Sequence, residues 1–105
     1  MAWAFLVAAG VCEVLWAAGL KRFGFRLSPG GVATVAVMLL SFVLLDRAMR
    51  HLPLGTAYAV WTGIGAVGAA AVGMAAMGQP VHPVRLGCIG LIVVGIVGLK
   101  WFSPG

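Results

Sequence analysis

"AWAFLVAAGVCEVLWAAGL", Ala2 to Leu20, is an apolar run with one carboxylate, Glu13, set near its middle. A bilayer core about 30 Å thick needs about 20 apolar residues in a spanning helix. The run is that long, and it is continuously apolar rather than alternating. The rest of the chain has the same character. Its 105 residues are 63% hydrophobic and 9% charged, where a soluble domain has about a quarter of its residues charged. A water-soluble fold would need more polar surface than this, so the composition belongs to the membrane class.

Three further apolar runs follow. The four spans are expected at about residues 2–20, 31–45, 54–77 and 86–102. Together they use about 80 residues and leave about 25 for ends and turns. That leaves no room for a soluble catalytic domain, and the chain is not expected to be an enzyme. In lipid only helices and closed barrels satisfy their own backbone groups. The expected fold is therefore all-α, a single domain of four transmembrane helices. Pro29, Pro53, Pro80 and Pro83 lie near the boundaries, where a missing backbone donor is tolerated. The first span lacks the basic leader of a signal peptide, and Glu13 interrupts its apolar core. It is expected to be retained.

Loop charge decides orientation poorly. With the N-terminus on side one, that side carries Arg47, Arg50 and Lys100, and side two carries Lys21, Arg22, Arg26 and Arg85. The positive-inside rule acts on an asymmetry, and here there is almost none. The chain is expected to insert either way up. The net charge of +5 is spread over both faces, so no nucleic-acid patch is expected. Four thin helices cannot enclose a polar path alone. A homo-oligomer is therefore expected, and if both orientations exist its simplest closed form is an antiparallel two-fold dimer.

The carboxylate carries the chemistry. A charge at the bilayer centre costs several kcal/mol. No Lys or Arg inside the first three spans could pair with Glu13. Desolvation disfavours a bare charge, so the group is suited to exchange a proton for a cation. Ala9, Gly10, Trp16 and Ala17 share its helical face. The small residues leave room, and Trp16 is either an aromatic wall or a lipid-facing filler. Trp3 and Trp101, at span ends, read as interface anchors.

Span three contains "TAYAVWTGIGAVGAA", Thr56 to Ala70, which puts Tyr58, Trp61, Thr62 and Gly65 on one face. Tyr and Trp can stack on a cation and donate hydrogen bonds, or they can simply be buried aromatics. "GIGAVG", Gly63 to Gly68, formally matches a dinucleotide fingerprint, but it follows no strand and lies inside an apolar run. Gly63 and Gly65 are expected to permit close packing and a bend. Ser41, in span two, could bond back to its own helix or to Glu13. In span four, Gly87, Gly90, Gly95 and Gly98, with Leu91 beside them, offer a surface for close helix contact. It reads as the dimer interface, with lipid packing as the alternative. Lys100 can snorkel. Cys12 and Cys88 read as packing residues. No Cys/His cluster has metal-ligand spacing, and neither metal nor cofactor is expected.

These residues resemble the small multidrug resistance family, and within it the guanidinium exporter subtype. The resemblance covers nearly the whole chain. It rests on Glu13, Trp16, Leu20 and Lys21 in span one, on "PLGTAYAVWTGIGAVGA" from Pro53 to Ala69, and on the ending Gly95 to Lys100. The multidrug subtype usually has a small residue where Trp16 stands. The resemblance implies a proton-coupled antiporter of the bacterial inner membrane, working as an antiparallel, dual-topology homodimer. Two copies of Glu13 would bind protons or guanidinium. Ser41, Tyr58 and Trp61 match positions around the central glutamate, and Trp16 lines the same cavity. A quaternary-ammonium exporter on this scaffold is the alternative. A non-transporting subunit of a heteromer is an alternative of another class. Gln79 and Asp46 depart from the usual pattern of the family, both outside the expected site.

Overall fold

The computed structural model describes residues 2–102. Its four helices are α1 (Ala2–Phe23), α2 (Pro29–Met49), α3 (Leu54–Ala76) and α4 (Pro83–Phe102). All four are long and apolar enough to cross a membrane, and there is no strand among the described residues. The chain is an all-helical, multi-pass membrane protein.

The helices outrun the apolar stretches. α2 starts at Pro29 and continues past Leu45 to Met49, where Ala48 is buried in the core and Asp46 and Arg50 pair across one helical turn at 3.2 Å. α4 starts at Pro83, ahead of Leu86. Hydropathy marks the hydrocarbon thickness, whereas capping and local pairing decide where a helix stops.

Local groups cap the helices. Gly24 and Gly78, at φ 67°, take the left-handed turns after α1 and α3. The Ser28 hydroxyl accepts from the Gly31 backbone N–H at 3.1 Å, with Pro29 pre-set for the first turn. At α4, His82 Nδ1 accepts from the Val84 N–H at 3.2 Å, so a residue expected only as part of a loop is the helix cap.

The helices form a slab of 42 × 35 × 16 Å. α1 packs against both α2 and α3, and α4 packs its backbone on α3 alone. The buried core gathers where α1 begins, α2 ends and α3 begins. Its members are Leu6 and Ala9, Leu45, Ala48 and Leu52, and Ala57, Val60 and Trp61. α4 has no buried residue. Trp3 packs against this core and lies under Lys100, whose Nζ is 4.9 Å from the ring centroid. Together they tie the end of α4 to the start of α1. Trp101 is exposed.

The turn between α1 and α2 leaves no space at Gly31, where the Arg26 carbonyl occupies the position a Cβ would take. Gly31→Val should therefore destabilise the fold by about 1–3 kcal/mol. Gly55→Ala, which meets nothing within 4 Å, should be tolerated. Thermal midpoints of the two variants in one detergent check the contrast.

Candidate functional site

Glu13 lies mid-helix on α1, where α1 crosses α3. The carboxylate rests directly on Gly65, and any Cβ there would overlap its oxygen. Next along the contact, Gly68 receives Val14, and one turn earlier Gly10 lies beneath Ile64. α3 thus meets α1 through glycines, which lets the backbones approach. Glu13 Oε1 is buried and has no hydrogen-bond partner among the described residues. Leaving a buried acceptor unpaired costs about 1–3 kcal/mol, more if it is charged. A proton or a bound cation would remove that cost.

Ser41 is fully buried and joins three helices. Its hydroxyl donates to the Ala9 carbonyl of α1 at 2.7 Å and accepts from Trp61 Nε1 of α3 at 3.0 Å. It bonds neither back to α2 nor to Glu13, the two alternatives open from sequence. The reason is reach. Ala9 is one turn before Glu13, and its carbonyl is the acceptor that Ser41 meets on α1. In an α-helix that same carbonyl takes the backbone N–H of residue 13. Ser41 and Glu13 therefore share an anchor without touching.

Four rings continue from this anchor. Tyr58 meets Trp61 at 5.7 Å, Trp61 meets Phe42 at 5.9 Å, and Phe42 meets Trp16 at 6.4 Å, all edge to face. Such pairs add about 0.5–1.5 kcal/mol each beyond burial. Tyr58, Trp61 and Trp16 were expected around the acid. Phe42, the bridge between them, was not expected. Its only signal is adjacency to Ser41, and one more aromatic in an apolar run carries little information. Trp16 Nε1 is buried without a partner, like Glu13 Oε1. A donor and an acceptor three residues apart on α1 are both unspent.

Several expected residues fall elsewhere. Gly10 is consumed by Ile64, so it brings helices together instead of opening space. Gly63 is buried against Ile96 and Ile92 of α4. Together with Gly65 it lies inside a continuous α3, so close packing is visible at both and no break accompanies it. Thr62 is exposed on the chain surface. Gly87, Gly90, Gly95 and Gly98 meet nothing within 4 Å, and Leu91 beside them is exposed. This face of α4 is uncovered within one chain. Gln79 accepts from Arg85 at 3.2 Å, well away from Glu13 in sequence and on a loop.

The sequence matches the family model described as Small Multidrug Resistance protein over residues 1–94. The chain belongs to the small multidrug resistance family. It is 57% identical over 102 residues to a protein of Escherichia coli (strain K12) named "Guanidinium exporter", a match covering 95% of this chain and 96% of that one. Proteins of the same name from Citrobacter freundii and Salmonella typhimurium are 56% identical, with the same coverage. Glu13, Trp16 and the ring series thus belong to a small multidrug resistance protein.

Ser41→Ala should leave Trp61 Nε1 and the Ala9 carbonyl without their partner at a three-helix junction. The expected loss is about 1–2 kcal/mol, the upper end for hydrogen bonds between membrane helices. Ser41→Thr should retain most of the stability. Reversible unfolding in mixed micelles measures both.

Proposed function

We propose that this chain is a proton-coupled exporter of guanidinium and small guanidinyl cations, acting as an antiparallel homodimer in the bacterial inner membrane. The observation that carries the reading is the unpartnered buried oxygen of Glu13 beside Trp16, in a chain 57% identical to a named guanidinium exporter. The protein is a transporter and not an enzyme, and its 105 residues act as one four-helix unit.

Each step follows from the groups at hand. Guanidinium is planar and presents parallel N–H donors, and a carboxylate accepts two of them at once. The faces of Trp16 and Tyr58 attract a cation. When the cation leaves, a bare carboxylate in an apolar setting is costly, and a proton replaces it. One site that holds either a proton or a cation exchanges the two. Two copies in opposite orientation present one Glu13 each, with Ser41 and Trp61 of the three-helix junction behind it. The free glycine face of α4, at Gly90, Gly95 and Gly98 with Leu91, supplies the pairing surface. Near-balanced loop charge supports insertion in both orientations.

In proteoliposomes a guanidinium gradient should drive protons the opposite way, and Glu13→Gln should abolish that flux. Guanidinium binding should weaken as pH falls, because protons compete for the same carboxylate. The variant should show no such dependence. A bulky aromatic quaternary ammonium carried well, with guanidinium carried poorly, would replace the substrate. Topology reporters showing one fixed orientation would instead favour a heteromeric subunit.

Gly65→Ala should displace the Glu13 carboxylate from its seat without altering its charge. Guanidinium affinity is expected to drop at least about tenfold, on the scale of 1.4 kcal/mol per decade. Isothermal titration on folded, monodisperse protein reads the change.

A further inference from the structure

The end of the molecule that carries the α1–α2 and α3–α4 turns has cations and no acid. Lys21, Arg22, Arg26 and Arg85 are there, while the chain's two acids are Glu13, mid-helix, and Asp46, at the other end. Among the described residues Asp46 forms the one salt bridge, with Arg50. Among the described residues the four cations thus have no carboxylate partner.

Two of them frame a cavity. Toward this end α1, α3 and the loop after α3 line a space of about 310 Å³, walled by Ala17, Ala69 and Ala70 and edged by Lys21, Gln79 and Arg85. Arg85 is held in place. It donates to the Pro80 carbonyl at 3.3 Å and to Gln79 Oε1 at 3.2 Å. Gln79 in turn is seated against Gly73, where a Cβ would overlap its amide oxygen. Its backbone N–H is tied to the Gly73 carbonyl at 3.0 Å. The loop therefore fixes a guanidinium at the rim of the cavity and leaves other N–H groups of that guanidinium unspent. The first turn of α4 adds the partial positive charge of a helix N-terminus.

We infer that this cleft binds the phosphate group of an anionic phospholipid. The position suits it. Lys21 ends a membrane-spanning helix and Arg85 begins one, so both stand at headgroup depth. Basic pockets between transmembrane helices bind anionic headgroups. The alanine walls give the glycerol and upper chain an apolar surface, and the guanidinium suits phosphate oxygens. Gln79 is the positioning residue, which gives this departure from the usual loop pattern a role. The inference is independent of which cation the protein exports.

The test is native mass spectrometry of the purified full chain with phosphatidylglycerol, phosphatidylcholine and inorganic phosphate as separate probes. Phosphatidylglycerol should be retained in preference to phosphatidylcholine. Lys21→Gln and Arg85→Gln should each weaken that preference about fivefold, and the double variant about 25-fold. Arg47→Gln, at the opposite end, should leave it unchanged. Gln79→Ala should weaken it less than Arg85→Gln, since the charge remains. Lys21 is exposed, so its variant keeps the test open if the double variant fails to fold. Equal retention of the two lipids, or a preference that survives in the variants, overturns the assignment. Inorganic phosphate bound as tightly as phosphatidylglycerol, with the same sensitivity to the variants, would make the site one for a soluble anion and also overturn it.

Discussion

One hydroxyl, that of Ser41, holds three helices in register. It spends its proton on the Ala9 carbonyl of α1 and its lone pair on Trp61 of α3, while its own backbone belongs to α2. Within hydrocarbon no water competes for these groups, so the two bonds fix where α1 lies between its neighbours. Everything that gives Glu13 its setting depends on that placement. One turn from the shared carbonyl, α1 brings the carboxylate down on Gly65. The same Trp61 starts the ring series that reaches Trp16 through Phe42. A polar junction and an apolar series thus reach α1 on either side of the same acid, at Ala9 one turn before Glu13 and at Trp16 one turn after it.

Much of this was readable in the residues. Four uninterrupted apolar runs leave few options for a backbone that must satisfy itself. An acid within the first run, with no nearby base, marks itself as a site because lipid makes it expensive. The face containing Tyr58 and Trp61 followed from helical spacing. Less legible were the choices made across helices. Spacing places Gly10 beside Glu13, but it cannot show that Ile64 fills the gap. It places Ser41 deep in α2, and only the packing of α2 on α1 selects the Ala9 carbonyl. Phe42 was invisible for a related reason. An aromatic in an apolar run gives no periodic signal of which partner it meets.

Three helices run past the expected spans for a different physical reason. Hydropathy detects lipid, and lipid ends before the helix does. Asp46 and Arg50 continue α2 by pairing across a turn, and His82 begins α4 by capping it. These polar residues read as loop because loops are where such residues usually collect. Gln79, likewise, is part of a built corner, with Gly73 shaped to receive it.

The slab is 16 Å thick, where one helix with its side chains measures about 10–12 Å. Such a body has scarcely any interior. Apart from the small core at one end, its apolar side chains find their contacts in whatever lies against the two broad faces. Bilayer thickness and the ratio of lipid to protein therefore enter its free energy directly, as solvent conditions do for a soluble domain. A stability measured for this chain belongs to the chain together with its surroundings, and transfer to another membrane is a thermodynamic perturbation comparable to a core substitution.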